Sequence, residues 1–185
     1  MKVGLLGTGF GIAHAHIYHT HPQVSSVVVF GRTPAKLQAF AEKFGYATTT
    51  DLSSIYHDPT IDLVDVCLPT PLHAEHVTRA LAAGKHVLCE LPLAATMADA
   101  RRVVEAQAAS DRQVFVDMFG RFDPATEFLH TTITEGRYGP CRRCRWSCAA
   151  PCCGRATRSA WTPWPWTSCT PAWTPSSPPW ALPSR

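Results

Sequence analysis

The chain has 185 residues, enough for one domain of ordinary size, and its formal net charge of +3 averages two segments of unlike composition. Residues 1–140 carry 11 Lys and Arg against 14 Asp and Glu, whereas residues 141–185 carry six Arg and no acid. We expect a cytoplasmic protein with no signal peptide, membrane span or nucleic-acid partner, because Gly7 interrupts the first apolar run and the basic excess lies wholly in the tail.

The first twelve residues read as a buried strand, a glycine-rich turn and the start of a helix. The strand is predicted at 3–6 and the helix at 12–21. In a dinucleotide-binding turn the first glycine, here Gly7, makes the sharp turn, and the second, Gly9, lets the backbone approach a pyrophosphate. The third position, where Gly or Ala packs the helix on the strand, is occupied by Ile12, and Gly11 stands one place early.

The rest of the first 140 residues alternates strand and helix patterns. Strands are predicted at 27–30, 63–67, 86–89 and 114–116. Helices are predicted from Pro34 to a stop at Gly45, from Asp51 to about Pro59, and over 124–135. A helix from Pro71 to Gly84 is expected to bury Val77, Ala80 and Leu81. A helix that begins at Thr96 is expected to turn Met97, Ala100 and Val104 inward. This alternation predicts an α/β fold with a Rossmann-type, doubly wound parallel sheet.

The end of the second predicted strand indicates which dinucleotide the fold prefers. An NAD-specific fold places an acid there, on the ribose 2′-hydroxyl, whereas this chain has Gly31-Arg32-Thr33. A guanidinium and a hydroxyl suit a 2′-phosphate, because arginine pairs with phosphate as a planar fork. We therefore predict a preference for NADP; the alternative is that Arg32 is an ordinary solvated arginine.

Five motifs in order resemble the glucose–fructose oxidoreductase/inositol dehydrogenase (Gfo/Idh/MocA) family over about three quarters of the chain. They are Gly7-Thr8-Gly9-Phe10-Gly11; residues 62–70, ending Leu68-Pro69-Thr70, with His73; residues 84–92, including Glu90-Leu91-Pro92; Arg121-Phe122-Asp123-Pro124; and Gly136-Arg137-Tyr138-Gly139.

The resemblance implies an oxidoreductase that uses NADP or NAD on a sugar, polyol or related small compound. It divides the chain into a Rossmann domain over 1–122, the start of an α+β substrate domain over 123–140, and a tail over 141–185. It places Pro69, Thr70, His73 and Glu90 near the nicotinamide. The expected cofactor-binding residues are Gly7, Thr8, Gly9, Phe10, Gly11, Ile12, Arg32, Thr33, Leu68, Pro69, Thr70, His73 and Glu90.

One position departs from the family pattern, and no catalytic residue is assigned for that reason. The family usually reads Glu-Lys-Pro, and its lysine relays a proton and binds substrate; this chain has Leu91 there. Leucine neither donates a hydrogen bond nor carries a proton. Either another group substitutes, or the chemistry is altered, or the chain is a non-catalytic dinucleotide-binding module.

No metal site is expected from the histidines and cysteines. His14 and His16 point apart on a helix, as do His19 and His21, and no pair has the spacing of a helical zinc site. The two cysteines at predicted strand ends, 67 and 89, are interpreted as small buried residues rather than nucleophiles.

The tail, residues 141–185, allows three interpretations. Its cysteines suggest a zinc knuckle but lack a second ligand pair, and its Trp and Arg suggest a membrane surface but its prolines prevent an amphipathic helix. The third interpretation, which we favour, is translation in a shifted frame. Each Trp-Thr pair read one base earlier restores an aspartate, in a segment that otherwise has no acid. We expect such a tail to stay unfolded, and the substrate pocket and family oligomer interface to be lost.

Overall fold

A computed structural model describes residues 1–137 and Gly139; the predictions made for the tail lie outside the described residues. Six parallel strands form one sheet in the order β3-β2-β1-β4-β5-β6. The strands are β1 (Lys2–Leu6), β2 (Ser26–Phe30), β3 (Ala47–Thr49), β4 (Leu63–Val66), β5 (His86–Cys89) and β6 (Val114–Val116). The predicted Rossmann-type sheet is thereby confirmed, with the order reversing beside β1, where doubly wound sheets bind their ligands.

Six α-helices accompany the strands in the described part of the chain. They are α1 (Gly11–Thr20), α2 (Pro34–Phe44), α3 (Ser53–Tyr56), α4 (His73–Ala82), α5 (Met97–Ala108) and α6 (Pro124–Thr134). No helix in the described part of the chain is long and apolar enough to cross a membrane.

The sheet is covered on both faces, which explains why its central strands are almost entirely apolar. Alternate residues of one strand serve opposite faces: Leu5 packs in the cluster beneath α1 and α2, and Leu6 in the cluster beneath α3, α4 and α5. Each of these two side chains is fully buried. Burial on both faces follows from strands that connect through helices rather than tight turns.

Local chemistry sets the helix boundaries as the sequence predicted. Helix α2 begins with Pro34 at its first position and ends at Gly45, whose φ of 70° few other residues adopt. The Thr96–Asp99 pair before α5 supplies the N-cap half of a capping box: Thr96 Oγ1 accepts a hydrogen bond from the Asp99 amide at 3.1 Å and donates one to the Asp99 carboxylate at 2.8 Å.

Two expectations need correction. Strand β3 was not predicted, because its residues are exposed or half-buried and form no apolar run. The predicted inward face of α5 was also wrong: Met97 is 72% exposed and Val104 63%, whereas Val103 is buried. The face that packs on α4 is turned by one residue, and two adjacent valines give the sequence no means of choosing between them.

Candidate functional site

The glycine-rich turn after β1 is formed by glycines with distinct roles. Gly7 has a φ of +114°, its amide donates to the Phe30 carbonyl at 3.0 Å, and a Cβ at this position would collide with the carbonyl oxygen of Cys67. Gly9 has no heavy atom within 4 Å of the place where a Cβ would stand, so its backbone is open to a ligand. The fold therefore requires Gly7, whereas Gly9 leaves space for a ligand to approach the backbone.

The close-packing role belongs to Gly11 rather than to Ile12. Gly11 begins α1 and is buried, and a Cβ there would stand 3.3 Å from Leu5 Cδ1 and 3.5 Å from Cys67 Cβ. Ile12 is 41% exposed on the outer side of the helix. The motif is thus one residue shorter than the usual spacing, and helix α1 still packs closely on β1.

The turn opens into a cleft of about 430 Å³ at the carboxyl ends of β1, β2 and β4. Eight of the thirteen predicted cofactor-binding residues line it, in the glycine turn and after β2 and β4. The lining residues are Gly7, Thr8, Gly9, Phe10, Phe30, Gly31, Arg32, Thr33, Lys36, Cys67, Leu68 and Pro69. Of the predicted set, Gly11, Ile12, Thr70, His73 and Glu90 do not line it.

One end of the cleft is positively charged. Arg32 and Lys36 both line it and both are exposed, and within residues 1–137 neither has an acidic partner. Gly31 has no space for a side chain, because a Cβ there would stand 2.7 Å from Thr8 Cγ2 and 3.0 Å from Leu37 Cδ2. The acid of an NAD-specific fold could not be accommodated here without movement. Sequence reasoning missed Lys36, although it lies one helical turn beyond Arg32.

His73 is a buried connector between two loops. Its ring nitrogens lie 2.6 Å from the Leu68 carbonyl oxygen and 2.8 Å from that of Pro92. Leu68 follows β4 and Pro92 follows β5, so the imidazole joins the two loops beside the cleft. Its position suits holding the cleft wall in place, and its ring is not presented to the cleft.

A buried polar cluster, which we call the His14 cluster (His14, Tyr18, Asp65, Glu90 and Asp117), lies at the carboxyl ends of β4, β5 and β6. His14 Nδ1 is 2.7 Å from Asp65 Oδ2, to which the Tyr18 hydroxyl also donates at 2.7 Å. His14 Nε2 is 2.9 Å from Glu90 Oε1 and 3.4 Å from Asp117 Oδ2. Three carboxylates thus surround one imidazole.

This environment changes the ionisation of the His14 cluster and of its sulfur neighbour. Burial lowers the pKa of His14, but hydrogen bonds and charge from Asp65 and Glu90 outweigh it and raise the pKa to about 9. Burial and the Asp65 charge raise the pKa of Tyr18 and of the Cys67 thiol well above their usual ranges. Cys67 is therefore a protonated, buried thiol, as the sequence predicted, and not a nucleophile at neutral pH.

The pKa of the second thiol, Cys89, is raised to about 12, chiefly by burial, so it is equally inert.

The sequence reasoning missed the His14 cluster because its members come from four elements. The one local indication was Asp65, a carboxylate in the middle of an apolar strand where burial is complete. A fully buried charge requires a partner, and such a residue predicts one.

Leu91 lies two residues after the end of β5, next to Glu90 of this cluster. Its side chain is 46% exposed, and its amide donates to Glu90 Oε2 at 3.0 Å. Both carboxylate oxygens of Glu90 are therefore engaged, one by His14 and one by the following amide. No ionisable side chain stands at position 91.

Comparison with known proteins gives consistent matches that cover about three quarters of this chain. Residues 1–118 match the family model GFO_IDH_MocA, an oxidoreductase family with an NAD-binding Rossmann fold. An inositol 2-dehydrogenase of Acidothermus cellulolyticus is 37% identical over 143 residues, covering 75% of this chain and 42% of that protein. A levoglucosan dehydrogenase of Pseudarthrobacter phenanthrenivorans is 34% identical over 150 residues, covering 75% of this chain and 38% of that protein.

Solved structures agree with this. A 3-ketoreductase of Actinomadura kijaniata in complex with NADP and TDP-benzene superposes with a TM-score of 0.69 at 25% identity, covering 74% of this chain and 42% of that one. The apo form of a levoglucosan dehydrogenase gives a TM-score of 0.67 at 33% identity, covering 75% and 39%. The chain spans less than half the length of these relatives.

Proposed function

This chain belongs to the GFO_IDH_MocA family of oxidoreductases with an NAD-binding Rossmann fold, and from that premise we propose that residues 1–122 are the cofactor-binding half of an NAD(P)-dependent oxidoreductase. Its substrate would be a sugar, a polyol or a related small compound, in keeping with the names of the inositol and levoglucosan dehydrogenases that it resembles. Residues 123–140 would begin the substrate domain.

The observation that supports a dinucleotide function best is the cleft itself. A sharp glycine turn leads from β1 into α1, and the amino terminus of a helix favours an anionic pyrophosphate there. The cleft extends from this turn to Arg32 and Lys36 at one end and to Pro69 at the other. This matches the extended shape of a dinucleotide with its adenosine end beside β2.

We propose that NADPH binds more tightly than NADH. The two cations at the β2 end offer ion pairs to a 2′-phosphate, and no acid that would hold a 2′-hydroxyl is among the described residues that line the cleft. A bidentate charged contact is worth about 1.5–3 kcal/mol, which corresponds to at least about tenfold in affinity.

Fluorescence titration of the full chain with NADPH and NADH tests this. Arg32→Asp should shift the affinity ratio towards NADH by at least about tenfold. Arg101→Asp on α5, an exposed arginine away from the cleft, is the matched control and should leave the ratio unchanged. Equal affinities for the two cofactors in the unaltered chain would refute the preference.

A second candidate function is a dinucleotide-binding module without catalysis. The observation in its favour is Leu91, which places an apolar, half-exposed side chain where the family pattern has its proton-relaying lysine. The two functions differ in one measurement: both predict cofactor binding, and only the first predicts hydride transfer to or from a substrate.

We further propose that residues 141–185, which lie outside the described residues, are translated out of frame. Their lack of any acid and the aspartates restored at each Trp-Thr pair support this. Resequencing the DNA around the codons for positions 140 and 141 tests it, and an unchanged reading frame would overturn it.

A further inference from the structure

We propose that His14, Glu90 and Asp117 form a binding site for one divalent transition-metal cation. The three side chains offer His14 Nε2, Glu90 Oε1 and Asp117 Oδ2, and these atoms lie within 4.8 Å of one another. They come from α1 and from the residues that follow β5 and β6. None of the three lines the cleft described above, and the proposal rests on the geometry of these three side chains rather than on cofactor binding.

The separations between the donor atoms are those of ligands that share one ion. Metal–ligand bonds of about 2.1 Å place neighbouring ligand atoms about 3.0 Å apart at a right angle and about 3.4 Å apart at the tetrahedral angle. Nε2 of His14 is 2.9 Å from the Glu90 oxygen and 3.4 Å from the Asp117 oxygen. Both separations from the imidazole nitrogen therefore fit a cation that His14 shares with a carboxylate.

Buried Asp65 prepares the imidazole for this role. It accepts a hydrogen bond from Nδ1 of His14 and is itself fully buried and held by the Tyr18 hydroxyl. A histidine that donates one ring N–H to a carboxylate presents its other nitrogen to a metal in a fixed orientation, and this pairing is the usual second layer of metal centres. This support distinguishes the site from a simple group of acidic residues.

Charge balance also favours a dication. Three carboxylates face one imidazole, so the cluster keeps an excess of negative charge even when both ring nitrogens carry protons. Uncompensated charge in a largely buried site is costly. A dication in place of the proton between His14 and Glu90 halves that excess, from −2 to −1.

The donor set indicates which ions fit and how they would enter. One imidazole and two carboxylates suit Mn²⁺, Fe²⁺ or Zn²⁺ rather than Cu⁺, because no thiolate takes part. The Glu90 and Asp117 side chains are 14% and 25% exposed, which leaves a path and open coordination positions for water. A second group of possible metal ligands, His14, Asp65 and Cys67, is buried. In that group the ring nitrogen Nδ1 of His14 already donates a hydrogen bond to Asp65.

The test uses Mn²⁺, because the six tail cysteines would compete for zinc and manganese binds thiols poorly. Electron paramagnetic resonance of free Mn²⁺ measures binding to the full chain, and we expect one ion per chain. Glu90→Gln and Asp117→Asn should each weaken binding at least tenfold. Glu105→Gln and Asp111→Asn, which remove exposed carboxylates elsewhere, should not change it.

A second measurement guards against variants that fail to fold. The midpoint of urea unfolding should rise with Mn²⁺ for the unaltered chain and for both controls, and should not rise for Glu90→Gln or Asp117→Asn. The proposal is overturned if millimolar Mn²⁺ leaves the free signal unchanged, or if folded Glu90→Gln and Asp117→Asn chains bind as the unaltered chain does. NADPH titration of the same samples tests the cofactor proposal separately, so its failure can be distinguished from failure of the metal proposal.

Discussion

At the scale of single residues, the first two glycines of the turn separate the requirements of the fold from those of the ligand. Gly7→Ala introduces a Cβ against the Cys67 carbonyl at a φ of +114°, so we expect it to lower the free energy of unfolding by about 1–3 kcal/mol. Gly9→Ala meets nothing within 4 Å and should leave that free energy nearly unchanged while weakening cofactor binding. Urea unfolding and NADPH titration of both variants measure this, and similar profiles for the two would contradict it.

A second residue-scale prediction concerns His76, which is buried on α4. Its Nδ1 accepts a hydrogen bond of 2.6 Å from the Tyr56 hydroxyl. Burial lowers the pKa of His76; the Glu75 charge raises it, and the Arg79 and His73 charges lower it further. The folded state therefore keeps this imidazole neutral under conditions in which the unfolded chain takes up a proton.

The sign of the pH dependence follows from this. His76 contributes fully to the free energy of unfolding above its ordinary pKa of about 6.5. This contribution is lost as the pH falls through the lower pKa of the folded state, by at most about 1.4 kcal/mol per pH unit. Urea unfolding below about pH 6.5, where the raised pKa of His14 adds no further slope, should show stability falling with pH. His76→Gln should make that fall shallower, and His57→Gln, an exposed control, should not. An equal slope in all three chains would refute the assignment.

At the scale of elements, α5 offers a comparison of two adjacent valines. Val103 is buried against α4 and the sheet, whereas Val104 is 63% exposed. Val103→Ala should lower the free energy of unfolding by about 1–3 kcal/mol, because it leaves a cavity, and Val104→Ala should change it by less than about 0.5 kcal/mol. Urea unfolding of the two variants decides; the reverse order would mean that α5 is rotated from the face described.

The elements that the sequence predicted correctly are those whose boundaries depend on local chemistry. Glycine at φ of 70°, proline at a first helical turn and the Thr96–Asp99 N-cap pair act within a few residues, so the pattern contains them. Strand β3 was missed because its formation depends on pairing with β2, a partner distant in the chain. The same holds for the His14 cluster, whose contacts span up to 76 residues of sequence.

At the scale of the whole molecule, the predicted strand topology gave the position of the cleft. The residues that line the cleft were predicted only in part. Strand order alone places a ligand beside β1, and the glycines and Arg32 were identified from sequence. The hydrogen bonds of His73 to the Leu68 and Pro92 carbonyls and that between His14 and Glu90 were not predicted, because they join loops and elements that only the folded chain brings together.

Cofactor binding and catalysis should separate in this chain. Residues 1–122 carry the cleft, so NADPH should bind. Position 91, where the family pattern has a proton-relaying lysine, carries leucine. The chain also spans less than half the length of its relatives. Positioned acid–base groups contribute about 10²–10⁴-fold in rate, so we expect no measurable oxidation of inositols or sugars by the 185-residue chain. The absorbance of reduced nicotinamide measures turnover, with the binding titration on the same sample as the control for folding. Turnover by the unaltered chain would contradict the prediction and would favour a substitute acid–base group over a non-catalytic module.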